Sequence, residues 1–367
     1  MAEKAIRLGG ESTADAIVSA VDAMYTEHTF AEKDFALKHN DDEIAVDTNF
    51  AAQNFWKEAL IRFFNKKSAV LGLVLIVVIV LLAVFGPGMN SYTYSGQDLS
   101  QKNFAPRVPG IERLGILDGS EKMSTTTGSK SVNAYVEKGK DDVYYWFGSD
   151  TYGRDIWTRT WEGARVSLII AVAAAIIDMV IGMSYGLISG YFGGRVDMVM
   201  QRFLEVANGI PRLVIVTLLL LVLQPGMVTI IFALMLTEWV GMSRIARAEM
   251  LKLKDQEFVL ASRTLGAGSF FIIFKEVLPN IIGPIITQVM FSIPTAIFTE
   301  AFLSFVGLGI PVPQCSLGSL ISELYNSFTT HPYQIIPPMV VMSLLMLSFN
   351  LVADGLREAL DPKMKSM

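Results

Sequence analysis

The sequence predicts an all-α polytopic membrane protein with six transmembrane helices. Three observations predict this fold class: 52% of the 367 residues are hydrophobic, the mean hydropathy is +0.44, and the apolar residues are concentrated in long runs. These runs are close to the roughly 20 residues that cross a bilayer as a helix. A single soluble core would not use so much clustered apolar material.

Residues 1–55 are polar and acidic, with weak periodicity, and we expect them to form a cytoplasmic N-terminal extension of partly ordered helix or tail. The first apolar run starts near Ala69, too late for the apolar region of a cleavable signal peptide. We therefore expect the first membrane helix to direct insertion.

Residues 56–86 combine an amphipathic entry with the first transmembrane helix, predicted at 69–85 and ended by Gly-Pro-Gly at 86–88. The entry is basic, and its charges predict that it lies on the cytoplasmic side. They are Lys57, Arg62, Lys66 and Lys67.

Residues 87–160 are rich in Gly, Ser, Thr and Tyr and have no run that could span a bilayer. They predict an extracytoplasmic segment of strands and loops. The five further spans are predicted at about 166–189, 203–223, 228–244, 283–309 and 334–353. Lys and Arg are frequent in the short loops on the side of the N-terminus and absent from the two short loops opposite. Both termini are therefore predicted to be cytoplasmic.

Residues 161–355 form the predicted core of the membrane domain, which contains a polar insert from Arg244 to Asn280. Its first part favours a helix, Gly266 and Gly268 bend the chain, and an apolar face resumes before Pro279. Two short helices with a glycine joint suit docking into a groove on a partner. A helix lying on the membrane surface has the same periodicity, and spacing alone leaves both interpretations open.

The insert resembles the cytoplasmic loop motif of ATP-binding-cassette (ABC) importer permeases. The matching residues are Ala261, Ser262, Gly266, Leu278 and Pro279. Leu260 stands where that motif has Glu, and Glu276 stands where it has Ile.

Four further stretches are similar to the C-type permease subunit of oligopeptide and dipeptide importers. They are FWKEALIRFFNKKSAVLGL, GSDTYGRDIWTRTWEGARVSL, LSFVGLGIPVPQCSLGSLISE and FNLVADGLREALDP. The resemblance covers roughly residues 54–365, so it includes the predicted cytoplasmic tail at 356–367.

The resemblance implies the ABC type I importer permease fold, with an extracytoplasmic insert between helices 1 and 2, in a bacterial inner membrane. It also implies a sister permease, two cytoplasmic ABC ATPase subunits, an extracytoplasmic peptide-binding protein and a peptide substrate. The loop would carry the coupling helices that enter a groove on an ATPase. The implied coupling residues are Glu257, Phe258, Ala261, Ser262, Leu265, Gly266, Ala267, Leu278 and Pro279.

We expect no catalysis and no cofactor bound by this chain, because the sequence has no GxxxxGK[ST] phosphate loop. The resemblance assigns ATP and magnesium to the partner ATPases. The three histidines have no ligand spacing, so no metal site is expected, and the charge of -5 gives no indication of nucleic-acid binding.

Asp178 and Glu300 lie within predicted spans, where an unpaired carboxylate is expensive and often functional. Either could line a hydrated peptide pathway, or form structural hydrogen bonds with a neighbouring helix. If they carried protons, the chain would be a proton-coupled secondary transporter, and a third alternative is a membrane scaffold. Five prolines are predicted to break helices at or near membrane depth. They are Pro294, Pro311, Pro313, Pro337 and Pro338.

Overall fold

The structure, a computed structural model, describes residues 55–125 and 128–360. Within these ranges the chain is mostly helical, and five helices are long and apolar enough to cross a membrane, or six if one bent pair forms a single span. The five are Lys67–Gly88, Ile156–Phe192, Met227–Leu253, Ser269–Phe305 and Pro332–Leu360. Nearly all of the predicted N-terminal extension and most of the predicted C-terminal tail lie outside the described residues.

The first two helices form an elbow. Helix α1 spans Phe55–Asn65 and α2 spans Lys67–Phe85, with Lys66 alone between them. A single 3₁₀ turn, Gly86–Gly88, follows α2. The Gly-Pro-Gly sequence thus ends this helix at the predicted position.

Residues 86–155, the insert module, contain the strands and loops that composition predicts. Strands β1 (Ser120–Thr125) and β2 (Gly128–Asn133) pair antiparallel, and the short helix α3 (Ala134–Glu137) follows them. A small aromatic cluster forms the centre of the module. Its buried members are Phe104, Tyr135 and Tyr145.

A buried ionic cluster fastens the insert module to the membrane helices. Both Arg154 and Arg159 donate to Asp150 Oδ2, at 2.7 and 2.8 Å, and both also donate to Glu323. Burial alone would raise the pKa of Glu323, but the Arg159 and Arg154 guanidinium groups outweigh it and lower that pKa. The Glu323 carboxylate therefore stays ionised at neutral pH.

The second span is longer than the sequence predicts. Helix α4 (Ile156–Ile177) continues through a π-helical segment, Asp178–Gly182, into α5 (Met183–Phe192). The prediction began at residue 166 because the preceding turns contain Arg and Glu. Those turns are buried against other parts of the chain instead of facing lipid, with Arg159 0% and Trp161 5% exposed.

The third span, predicted as one helix over 203–223, is broken. Helix α6 runs Gly194–Gly209 and α7 runs Arg212–Val222, and the two are bent by 78°. Pro211 follows Ile210, whose backbone is extended with ψ 122°. A proline disfavours helical backbone in the residue before it, which explains the break.

Helices α8 (Met227–Thr237) and α9 (Trp239–Leu253) form the fourth span, nine residues beyond its predicted end at 244. Helix α10 (Glu257–Thr264) follows. Helix α11 (Ser269–Phe271) then runs through a π-helical segment, Ile272–Val277, directly into α12 (Leu278–Phe305).

The second helix of the polar insert is thus the beginning of the fifth span, not a separate short helix. The prediction that Pro294 breaks a helix is wrong, because α12 continues through it. Pro294 removes one backbone hydrogen bond. In an apolar environment this costs less free energy than breaking the helix, which would leave the backbone groups of a whole turn without partners. Next to Pro279, the side-chain amide of Asn280 donates a hydrogen bond to the Glu276 carbonyl at 2.6 Å.

Helix α13 (Leu317–Tyr325) and helix α14 (Ile336–Leu360) are the last helices among the described residues. Pro337 and Pro338 lie in the first turn of α14, where backbone N–H groups have no helical partner, so they start this helix instead of breaking it. Pro311 and Pro313 lie between α12 and α13. The main core joins α2, α4, α8, α12 and α14, with Ala83, Ala171, Ile230, Ile297 and Leu345 at its centre.

We predict that Arg159→Ala loosens the insert module. The change removes one hydrogen-bond donor from each of the Asp150 and Glu323 carboxylates. Breaking a buried ion pair in this way costs about 3–5 kcal/mol of folding free energy. Hydrogen exchange of the amides of Asn103, Phe104 and Arg107, which bond to the adjoining loop, should then quicken by about a hundredfold or more.

The matched control is Arg202→Ala, since the side chain of Arg202 is 76% exposed and pairs with Glu205. We expect this change to have almost no effect on the same amides. Equal exchange rates in the two variants would contradict the fastening role of the cluster.

Candidate functional site

The candidate site is the hairpin formed by α10, the turn at residues 265–268, and α11. Gly266 has φ +85°. The Ala267 N–H donates to the Ser262 carbonyl and the Gly266 N–H to the Arg263 carbonyl, both at 3.0 Å. This is the Schellman arrangement, which needs a left-handed residue at the position of Gly266. Glycine adopts that conformation without steric cost, so it fixes the point where the chain reverses.

One face of the hairpin is anchored in a buried apolar cluster. Val259 is fully buried there. The cluster draws its residues from α5, α9, the hairpin and α12, with Ala267 and Leu278 packed at its edge. Its buried members are Leu187, Met242, Ala246, Met250, Val259, Ile272, Ile273, Val277, Ile281 and Ile285. The hairpin is therefore fixed to three membrane helices.

The opposite face exposes apolar side chains. Leu265 is 88% exposed, and Phe258 is 38% exposed. Four other predicted coupling residues also lie at the surface, and the remaining three are partly buried. The exposed four are Glu257, Ala261, Gly266 and Pro279, and the partly buried three are Ser262, Ala267 and Leu278. Pro279 lies within the continuous helix after the hairpin, away from its tip.

Sequence reasoning missed Phe270, which is 75% exposed, and its half-exposed neighbour Phe271. Together with Phe258 and Leu265 they form what we call the apolar patch. A pair of aromatic residues directly after Gly268, in a polar insert, was the available signal. Exposed apolar residues grouped on a fixed turn are typical of a surface that a partner covers.

The second span packs closely against α9, the helix that precedes the hairpin. Gly182, Gly186 and Gly190 recur every four residues, and each faces α9. A Cβ added at Gly182 would lie 2.5 Å from the Trp239 carbonyl oxygen, and one at Gly190 would lie 2.8 Å from the Met250 Cβ. Small residues at this spacing let two membrane helices approach closely. We call these residues the glycine stripe.

Two further contacts strengthen this connection. The guanidinium of Arg263, on α10, lies 5.5 Å from the centre of the Tyr191 ring on α5. Arg247 on α9 donates twice to the Asp197 carboxylate on α6, at 2.6 and 2.5 Å. The hairpin, α5, α6 and α9 are thus joined by packing and by charge.

Asp178 lies at the start of the π-helical segment and is 2% exposed. Among the described residues, its Oδ1 atom has no hydrogen-bond partner. Such segments are frequent at functional sites. A role for Asp178 in the transport pathway stays a prediction.

Glu300 is fully buried and accepts hydrogen bonds from three serines. Ser304 and Ser316 donate to Oε1 at 2.7 and 2.5 Å, and Ser167 lies 3.4 Å from Oε2. The serines belong to α12, to the N-cap of α13, and to α4. This geometry favours the structural alternative for Glu300. Among the described residues, no hydrogen bond joins it to Asp178.

Among residues 55–125 and 128–360, no group of three or more His, Cys, Asp or Glu side chains is placed to hold a metal ion. Cys315 is buried, and its Sγ lies 3.5 Å from the Arg159 carbonyl oxygen.

Comparison with known proteins identifies two family matches. The family described as "Binding-protein-dependent transport system inner membrane component" matches residues 182–366. The "N-terminal TM domain of oligopeptide transport permease C" matches residues 54–106.

The chain is 41% identical to the oligopeptide transport system permease protein OppC of Bacillus subtilis, over 85% of this chain and 91% of that protein. It is 38% identical to the dipeptide transport system permease protein DppC of the same organism, over 90% of this chain and 93% of that protein. A solved structure of the MetNI methionine ABC transporter, in inward-facing conformations, is similar with a TM-score of 0.47 and 16% identity. The matched region covers 54% of this chain and 94% of the chain in that structure.

We predict that Glu300→Leu lowers the thermal stability of the assembled protein, because the hydroxyls of Ser304 and Ser316 lose their acceptor. Each unsatisfied buried group costs about 1–3 kcal/mol. Glu300→Gln keeps an acceptor oxygen and should melt near the wild type and retain transport. If the glutamine variant melts normally but transports nothing, the charge of Glu300 acts in the pathway and the structural assignment is wrong.

Proposed function

The chain belongs to the family of binding-protein-dependent transport inner-membrane components, and we propose that it is the C-type permease subunit of an ATP-driven peptide importer. Its relatives carry the names of oligopeptide and dipeptide permeases and match it over nearly their whole length. The match of residues 54–106 to the N-terminal domain of oligopeptide permease C supports the C-type assignment. The family's name describes an inner-membrane component. The five or six helices among the described residues that are long and apolar enough to cross a membrane support a multi-pass protein.

The assembly we propose has three kinds of protein partner. A sister permease completes the translocation pathway, two cytoplasmic ABC ATPases bind ATP and magnesium, and an extracytoplasmic binding protein delivers the peptide. The family description supports the binding protein, since transport in this family depends on one. This chain binds no cofactor and catalyses no reaction in this proposal.

Charge supports the orientation. The polar insert, which contains the hairpin, has Lys252, Lys254, Arg263 and Lys275. The loop around Gln224 to Gly226 has no Lys or Arg. By the positive-inside tendency, the hairpin and both chain ends face the cytoplasm. The insert module then faces the other side.

The apolar patch is the observation that carries the coupling proposal. In this proposal it lies on the cytoplasmic side. The buried cluster around Val259 holds it in place, and it is exposed in the part of the chain that the structure describes. A groove on an ATPase would bury it as a helix-in-groove contact. When the ATPases close around ATP, the movement passes through the hairpin to α5 and α9 and rocks the spans between inward and outward access.

The proton-coupled alternative has no specific support. Glu300 is satisfied by serine hydroxyls, and a secondary transporter would not need a docking hairpin. The scaffold alternative does not account for the similarity to permeases along the membrane helices.

We predict that Leu265→Asp weakens binding of the ATPase subunits to the membrane complex. A central contact of an interface is worth about 2 kcal/mol, which corresponds to about thirtyfold in affinity. Peptide-stimulated ATP hydrolysis and uptake should fall with it. The measurement is the affinity of purified ATPase subunits for the permease pair in nanodiscs.

Val136→Asp is the control, because Val136 is 65% exposed and lies in the insert module on the opposite side. Both changes alter exposed side chains, so both proteins should insert and fold. Equal ATPase affinity in the two variants would remove the coupling role from the hairpin.

We also propose that the insert module contacts the binding protein over the outer mouth. Its loop 108–117 is closed by a hydrogen bond of 3.1 Å from the Val108 N–H to the Leu117 carbonyl, and by the Arg107–Glu112 ion pair at 2.6 Å. This ordered loop exposes four apolar side chains. They are Ile111, Leu114, Ile116 and Leu117.

We predict that Leu114→Glu weakens docking of the peptide-loaded binding protein by about tenfold or more, because Leu114 is 75% exposed and would be buried in the contact. Leu99→Glu, at a site 66% exposed in the same module, is the control. The readout is binding-protein affinity for the complex in nanodiscs. Docking that is unchanged by the Leu114 substitution would place the contact elsewhere.

A further inference from the structure

Helix α1 has apolar side chains on two sides, and among the described residues one side is buried while the other is about half exposed. Ala59 and Phe63 are buried against α14, where Gly355 allows the elbow to approach: a Cβ added at Gly355 would lie 3.2 Å from the Phe63 ring. The other face consists of residues four apart along the helix. They are Trp56, Leu60 and Phe64, at 48%, 56% and 57% exposure.

The exposed face continues a lipid-facing surface. Helix α2 follows after Lys66 alone, and its outward side chains Leu71 and Val74 are also about half exposed. The charged pair Glu58 and Arg62 lies on the other side of α1. An apolar stripe with charges opposite, placed where a span begins, is typical of a helix that lies in the membrane interface.

An open groove of about 300 Å³ lies between the charged side of α1 and the end of α14. Its lining is Arg62, Asn65, Lys66, Gly355, Glu358 and Ala359. The Lys66 ammonium pairs with Glu358 at 2.5 Å, but the Glu358 side chain is 59% exposed. An exposed pair of this kind is worth about 1 kcal/mol or less. An anion that enters the groove and binds Lys66 more tightly can therefore replace Glu358 as its partner.

The charge around the groove is positive. The lining of the groove has two basic side chains, Arg62 and Lys66, and one acidic side chain, Glu358. Arg62 also pairs with Glu58, which lies outside the lining. Basic clusters at the cytoplasmic end of a span attract anionic headgroups, and grooves between helices on that side bind them.

We propose that this groove binds the headgroup of an anionic phospholipid of the cytoplasmic leaflet. Arg62 and Lys66 hold the phosphate, Asn65 supplies a further polar contact, and the acyl chains lie along the exposed faces of α1 and α2. The lipid fixes the elbow against α14. The site is independent of the cargo and of the ATPase contact proposed above.

The test uses the complete transporter in nanodiscs of phosphatidylcholine with a minor share of phosphatidylglycerol. The probe is the ratio of the two lipids that stay bound after mild detergent extraction, measured by mass spectrometry. We expect phosphatidylglycerol to be enriched in the wild type. In the double variant Arg62→Gln, Lys66→Gln, the enrichment should fall by about fivefold for each basic group removed.

Glu358→Gln removes the carboxylate that competes for Lys66, so it should raise the enrichment. Because Glu358 is largely exposed, this variant should fold normally even if the double variant does not. Arg202→Gln, at an exposed arginine on α6, is the control and should change nothing. The proposal is overturned if the wild type shows no enrichment, or if the Glu358 variant does not raise it. Displacement of the lipid by soluble glycerol phosphate would instead identify a free-phosphate site and also overturn it.

Discussion

Close backbone packing between the second and fourth spans is the constraint on which the coupling account depends. The glycine stripe at residues 182, 186 and 190 brings α9 so near that a Cβ at Gly182 would lie 2.5 Å from a backbone carbonyl oxygen. Closely packed interiors transmit displacement instead of absorbing it. Val259 fixes the hairpin to the same helices. A push on the hairpin therefore moves spans, and does not merely deform a loop.

Polar groups buried elsewhere in the described chain hold its loops to its spans. The cluster of Asp150, Arg154, Arg159 and Glu323 joins the insert module to α4 and α13, and Glu300 joins α12 to α4 and to the start of α13. Removing one side chain from such a network costs free energy, because its hydrogen-bond partners stay buried where water cannot replace the lost contact. This arrangement holds the insert module and α13 in fixed positions against α4 and α12.

The sequence predicted the fold class, the approximate positions of the spans and the residues of the hairpin turn, because hydropathy and glycine placement carry that information directly. Helix ends were predicted less well. Polar turns such as 156–165 look like loop in a hydropathy profile, and only tertiary packing shows that they are buried helix. The prediction for Pro294 was wrong because a proline breaks a helix mainly where solvent can bond to the backbone groups that it leaves unpaired. Helix α12 lies among other helices and continues through Pro294. Phe270 was missed although the aromatic pair after Gly268 was a local signal for it. The hydrogen bonds of Glu300 to Ser167 and Ser316 depend on residues distant in sequence, which no local pattern specifies.

The most direct measurement is photo-crosslinking from the tip of the hairpin in the assembled transporter within its own membrane. A photoreactive amino acid replaces Leu265, whose side chain is 88% exposed. The account predicts a covalent adduct with an ATPase subunit, and none with an ATPase when the same group replaces Val136. Adducts at position 265 that contain only lipid would contradict the proposal that this hairpin receives the movement of the ATPases.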